Sequence, residues 1–212
     1  LKGYLYQRLP VLFKLTSFIM HNIEPYFRWR DLYTAEEDKN SPFFGRHYNE
    51  FQYTHKLYNF YIHPQWDAFG SSTLYGKILF ADYIEGYALI ELIGEWNDTL
   101  HNDVMFLKHR VIDPLYDKGI TIFAIFCDNV LNFHASPDDD YYAEWAEEVH
   151  EEGGWVAIIN TRQHVEEEMH DARLQHYGIE GGYVSPMRKA VVPAFAAAEL
   201  DFRTVPFQRG ER

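Results

Sequence analysis

From Thr73 onward the chain alternates short apolar runs with stretches whose apolar residues recur at helical spacing. Residues 73–83 and 87–94 are β-type runs separated by Glu85-Gly86, which has the form of a hairpin turn. Residues 99–118 carry Leu100, Val104, Leu107, Val111 and Leu115 three or four apart and predict a helix, with Gly119 as its C-terminal cap. Pro114 lies late in that pattern and predicts a kink or an early end. Ile120–Phe126 is a continuous apolar run, as expected of a strand covered on both faces. In Ser136-Pro137-Asp138-Asp139, Ser136 caps a helix, Pro137 occupies its first turn and Asp139 completes a capping box. Tyr141, Tyr142, Trp145 and Val149 then line one face, and Gly153-Gly154 breaks the helix. Trp155–Ile159 predicts another buried strand, and a last helix runs from about Arg162 to Leu174.

The order is hairpin, helix, strand, helix, strand, helix. Strands joined by helices of this length are parallel with right-handed crossovers, so the predicted fold is α/β: a mixed sheet whose antiparallel hairpin precedes parallel strands. Residues 70–175 form this core. Residues 1–69 are an extension packed on it. Pro10 suits a first helical turn, and Val11, Leu12, Leu15, Phe18, Ile19 and Ile23 follow at helical spacing until Pro25 ends the element. That helix docks on the core or, with Arg8 and Lys14 beside it, serves an interface. Residues 31–42 read as polar loop, and the aromatic-rich residues 43–69 as irregular or partly extended. Residues 176–212 are a C-terminal extension, Ala-rich near 194–198.

Composition narrows the function classes. A chain of 212 residues suits one domain with extensions. Its net charge of −13 argues against nucleic acid and anionic membranes as main partners, because phosphates are held by Lys and Arg. The apolar run from Leu9 to Met20 is shorter than the roughly 20 residues a membrane span needs. The stretch His21–Pro25 after it lacks the small residues of a signal cleavage site. A single cysteine, Cys127, precludes an intramolecular disulfide and suits the cytoplasm. The 17% aromatic content serves the core or a partner surface.

In open parallel sheets ligands lie beyond the carboxyl ends of the strands. Three polar groups follow the predicted ends: Glu95, Trp96, Asn97, Asp98, His101 and Asp103; Cys127, Asp128 and Asn129, with His134 beyond; and Asn160, Thr161 and Arg162. Parallel strands place all three on one sheet edge, where they would share a crevice. Glu95, Asp98 and His101 have the chemistry to bind a divalent metal, and His101 alternatively that of a general base, with Asp128 as a further candidate. The simpler reading, which the residue types favour, is that Asn97, Asp98 or Thr99 caps the following helix, with a partner contact as a third. Asn97, Asn129, Asn160 and Arg162 are the candidate ligand-binding set, and Arg162 at a helix start either holds an anion or forms a surface salt bridge. Cys127 with His134 invites a nucleophile reading, against which stands simple packing of a lone cysteine. His47, His55 and His63 recur every eight residues and share a face only on a continuous strand. Glu167 and His170 have the spacing of carboxylate metal sites but no matching motif on a second helix. Residues 138–152 carry eight carboxylates and no Lys or Arg, which reads as a solvated face or as a dock for a basic partner. Phosphate loops, dinucleotide fingerprints, nucleophile elbows and zincin motifs are absent.

The strings Ile62-His63-Pro64-Gln65-Trp66-Asp67, Gly94-Glu95-Trp96-Asn97-Asp98 and Asn129-Val130-Leu131-Asn132-Phe133-His134 resemble those of an uncharacterised bacterial protein family, over about residues 43 to 170. That resemblance implies no activity. The order of elements resembles the STAS domain, the anti-sigma-factor-antagonist fold, whose loop after the third strand carries a phosphorylatable serine. Ser136 falls at the matching place, although the loop here is His134-Ala135-Ser136-Pro137 rather than the family's Asp-Ser-Ser-Gly. The expectation is a non-enzymatic regulatory or scaffold module acting through a protein partner or a second copy of itself. The alternatives are a metal-assisted hydrolase or a small-ligand-binding protein using the same crevice.

Overall fold

The computed structural model describes residues 23–25, 32–136, 141–174 and 179–181. The predicted helix before Ile23, the turn at Pro137–Asp139 and the tail beyond Gly181 lie outside the described residues. Strands β1 (Lys56–Leu57) and β2 (Phe60–Tyr61) form a small hairpin within the aromatic-rich extension. The main sheet runs in the order β3 (Leu74–Asp82), β4 (Tyr87–Asn97), β5 (Ile122–His134), β6 (Trp155–Ile159), β7 (Ile179–Gly181). β3 is antiparallel to β4, and every later neighbour is parallel. This is the expected mixed sheet with one further strand, β7, which is too short to leave a periodic signal. The hairpin turn is where Glu85-Gly86 put it. The Asp82 carboxylate accepts from the amides of Ile84 and Glu85, and Gly86 takes a φ of 74°.

A sheet whose parallel strands follow one another in space sends right-handed crossovers to one face. The helices indeed share a face. After β4 come α1 (Asp98–His101), α2 (Asp103–Leu107), a π-helical turn (Lys108–Ile112) and α3 (Asp113–Tyr116). After β5 comes α4 (Tyr141–Glu151), and after β6 comes α5 (Gln163–Asp171). Val104, Leu107, Val111, Leu115, Trp145, Val149, Val165 and Met169 from these elements pack on Ile90, Leu92, Trp96, Phe123 and Ile125 of the sheet.

Two predicted elements differ in detail, each for a local reason. The helix over 99–118 is segmented. Asn102 adopts the left-handed conformation at φ 52° and ends α1, and Pro114, lacking an N–H, follows a π turn in which the Asp113 amide reaches back to the Lys108 carbonyl. The strand over 120–126 continues instead to His134, and the strand over 87–94 continues to Asn97. Two bulges carry β5 through its polar stretch. Between pairs Glu91–Phe126 and Ile93–Asn129, and again between Gly94–Val130 and Glu95–Asn132, β5 has one residue more than β4. Gly94 is therefore inside a strand, not at its end. At φ 127° a Cβ there would stand 2.0 Å from the Thr73 carbonyl oxygen, which accepts the Glu95 amide.

The opposite sheet face carries two smaller clusters. Leu57, Ile62, Trp66, Tyr75 and Ile93 form one, with Ile23 packed against it. Leu79, Tyr87, Leu89, Ala124 and Phe126 form the other. The extension closes the β3 edge, where Asp67 and Gly76 exchange backbone hydrogen bonds of 2.7 and 3.0 Å. Among the described residues, no helix is long and apolar enough to cross a membrane.

Candidate functional site

The β4 exit holds most of the residues singled out for chemistry, and it holds them as structural acceptors. Asn97 caps α1, its side-chain oxygen accepting from the Leu100 amide at 2.9 Å. Asp98 lies buried on the helical side. One of its oxygens accepts from the Trp96 indole (3.2 Å) and from the Val104 amide in the first turn of α2 (2.8 Å), and the other from the Tyr142 hydroxyl (2.6 Å). Asp103, fully buried, accepts in turn from the Asn97 amide at 2.8 Å and from Thr73 at 3.2 Å. Burial pushes the Asp103 carboxyl up, against the pull of hydrogen bonds from Ser71, Asn97 and Thr73. Strand end, helix start and the entry to β3 are thus tied through two buried carboxylates. His101 is half-buried, 3.5 Å from the Ser72 hydroxyl.

Glu95 points to the other face of the sheet, where it accepts from the Asn132 amide at 2.9 Å. Glu95, Asp98 and His101 are therefore not brought to a common point. Among the described residues no group of three or more His, Cys, Asp or Glu side chains is placed to hold a metal ion.

The expected common crevice divides for the same reason. Asn97 is in register with His134, six residues past Asp128, a separation of roughly 20 Å along β5. Asp128, Asn129, Asn160 and Arg162 do come together, away from Asp98. The Asn160 amide lies 3.3 Å from the Asp128 carboxylate, Arg162 Nε lies 3.5 Å from the Asp128 carbonyl oxygen, and Asn129 donates to Glu91 at 3.1 Å. The bulges of β5 create this shelf by turning Asp128 and Asn129, then Leu131 and Asn132, to the same face. Past Ile159 strand β6 no longer covers the β5 edge, and side chains around α5 take over. Besides Arg162, His164 Nε2 donates to the Leu131 carbonyl at 2.6 Å, and Glu168 accepts the Phe133 amide at 2.8 Å. Arg162 makes no surface salt bridge within 4.0 Å of a described carboxylate, so its part here is to satisfy an open strand edge.

The remaining candidates disperse. Cys127 is fully buried on the helical face, and burial, with the nearby charges of Asp128 and Glu91, pushes its thiol well above the ordinary range. His134 is exposed seven residues on, roughly 20 Å along the strand. His47 is exposed, His55 lies against the Tyr75 ring, and His63 is buried 3.4 Å from Glu24. Glu167 and His170 are exposed on α5. Ser136, half-buried, follows β5 by two residues, beside the Ala135 carbonyl that Thr99 binds at 2.9 Å.

Two charged clusters lie away from the strand ends. Lys108, buried by α4, lies 2.9 Å from Asp113, 2.9 Å from Glu148 and 3.2 Å from Glu144. Burial opposes its charge, but the three carboxylates outweigh burial and raise its pKa above the usual lysine range. Asp67, buried beneath the extension, accepts from Tyr48 (2.6 Å) and Arg46 (2.8 Å) and lies 3.5 Å from Lys77, whose ammonium also sits 4.1 Å over the Tyr48 ring. Burial pushes the Asp67 carboxyl up while Lys77, Tyr48 and Arg46 pull it down. The one sequence signal for this cluster is the string Ile62–Asp67, which ends on its central carboxylate. No protein-family model matches the chain, and no curated protein matches it significantly.

Proposed function

We propose that this protein is a non-enzymatic regulatory or scaffold module that acts through protein–protein contacts. The observation that carries the reading is the use made of the reactive side chains at the β4 exit. Asn97, Asp98 and one oxygen of Asp103 accept from backbone amides and from the side chains of Trp96, Thr73 and Tyr142, as parts of the scaffold. The contact surface is the outer face of α4, where Glu144, Glu147, Glu148 and Glu151 line an open hollow suited to a Lys- or Arg-bearing partner. The hairpin-then-parallel order supports the STAS likeness, and Ser136 is then the regulatory position. Light scattering and affinity capture with the full chain test the reading. A stable, salt-sensitive oligomer or complex is expected, and it should be lost in Glu147→Lys/Glu151→Lys. A strict monomer with no captured partner overturns it.

The shelf at Asp128, Asn129, Asn160 and Arg162 favours a second reading, the binding of a small polar ligand. Its carboxylate and carboxamide groups converge at the carboxyl end of β6, where such sites occur in parallel sheets. A thermal shift in a metabolite screen that vanishes in Asn160→Ala would establish it.

A further inference from the structure

We infer that His109 is a nucleophilic histidine whose Nε2 accepts a phosphoryl group from a phosphoramidate-type donor. The site lies in the π turn before α3, away from the strand ends, and it stands without the scaffold reading.

The backbone creates the arrangement. Lys108–Ile112 form one π turn, and the Asp113 amide donates to the Lys108 carbonyl five residues back. That winding brings Lys108 and Asp113 to one face, while His109 stands four residues before Asp113. The Asp113 carboxylate is thereby gripped at both oxygens. Its Oδ1 accepts from the Lys108 ammonium at 2.9 Å, and its Oδ2 lies 2.8 Å from His109 Nδ1. Lys108 is 1% exposed and is held further by Glu144 and Glu148 of α4, so this carboxylate has little freedom to turn. Tyr141 of α4 also fixes the His109 ring, meeting it edge-on at 89° with centroids 5.4 Å apart.

These contacts settle the tautomer. An ionised carboxylate only accepts, so the ring proton sits on Nδ1 and the lone pair of the neutral ring on Nε2. Nε2 has no hydrogen-bond partner among the described residues, and the side chain is 47% exposed, so the lone pair is open to solvent. His47, His134 and His150 are also exposed, but no partner among the described residues fixes a tautomer for them.

A phosphoryl group passes through a loose transition state and asks of its acceptor chiefly position, which this ring has. As Nε2 attacks phosphorus, the Nε2–P bond forms, the donor's P–N bond breaks, and the bonding pair leaves on ammonia. Nδ1 keeps its proton, so the ring becomes cationic during the step. The Asp113 carboxylate stabilises that developing charge through Nδ1–H, as an aspartate does behind a histidine base. Asp113 is thus a positioning residue for His109.

The test treats the full chain with potassium phosphoramidate and follows phosphohistidine by mass spectrometry and phosphorus NMR. His109 should be modified about fivefold faster than His47, His134 or His150, and at Nε2. Asp113→Asn, which removes the charge and keeps the shape, should bring His109 down to the rate of the other three. Nitrogen NMR of the unmodified wild-type chain should show the His109 proton on Nδ1, a readout that needs no variant to fold. Equal rates in the wild type, an adduct on His109 Nδ1 or an Nε2–H tautomer overturns the proposal, and so does a folded Asp113→Asn that keeps the advantage.

Discussion

Replacing Lys108 by Met isolates the most concentrated charge interaction in the fold. Methionine has a similar length and an apolar stem, so the space beside α4 stays filled and the loss is chiefly electrostatic. The ammonium is 1% exposed and lies within 2.9–3.2 Å of Asp113, Glu144 and Glu148. Removing one partner of a fully buried pair costs about 3–5 kcal/mol. Here the carboxylates are 32%, 50% and 37% exposed, and water recovers part of their solvation. The expected loss is therefore about 2–3 kcal/mol at pH 7, or roughly 5–10 °C in Tm for a chain of this size. Urea denaturation followed by tryptophan fluorescence reads it, with Trp145 reporting from the same helix. The pH dependence has a definite sign. Because the folded pKa of Lys108 is raised, its contribution is complete below the ordinary lysine value of 10.5 and is lost as pH rises through the higher folded value. The variant should lack that alkaline loss. A loss under about 1 kcal/mol at pH 7, or a deficit that does not shrink as pH rises through the folded pKa of Lys108, would refute the reasoning.

Other predictions test the β4 exit and the sheet. Asp98→Asn keeps the shape but cannot accept from Trp96, Val104 and Tyr142 together, so it should lose about 1.5–3 kcal/mol in chemical denaturation. Gly94→Ala forces a Cβ against the Thr73 carbonyl at a left-handed φ and should cost roughly 3 kcal/mol or more, read as a fall in Tm. Cys127 should ignore a thiol reagent in the native protein and react once urea unfolds it; equal rates in both states would contradict its burial.

Where local chemistry agrees with the fold, the elements are plain from the residues. β6 is bounded by Gly153-Gly154 and by Asn160 at φ 59°, and its five residues match the predicted run. Gly119, at φ 90°, ends the α3 segment where expected. β5 is legible only to Phe126, because Asp128, Asn129 and Asn132 break the apolar run that marks a covered strand. Bulges accommodate them, and a bulge depends on the neighbouring strand, which no local pattern encodes. The candidate site suffers in the same way: ending β4 and β5 early places Asp98 and Asp128 at one level, when their strands separate them. Capping by Asn97 is legible because asparagine before an apolar-periodic run is a local signal. The reciprocal bond from the Asn97 amide to Asp103 depends on the left-handed Asn102, and nothing in the spacing announces it.

The handover at the end of β6 bears on how the molecule fails. Beyond Phe126, the β6-side edge of β5 is paired by no described strand, and among the described residues Arg162, His164 and Glu168 help keep it from recruiting a strand of another molecule. Fraying of the first turn of α5 would bare that ribbon while the central sheet stays intact. Self-association under mild stress should accordingly begin there, as intermolecular strand pairing that precedes global melting.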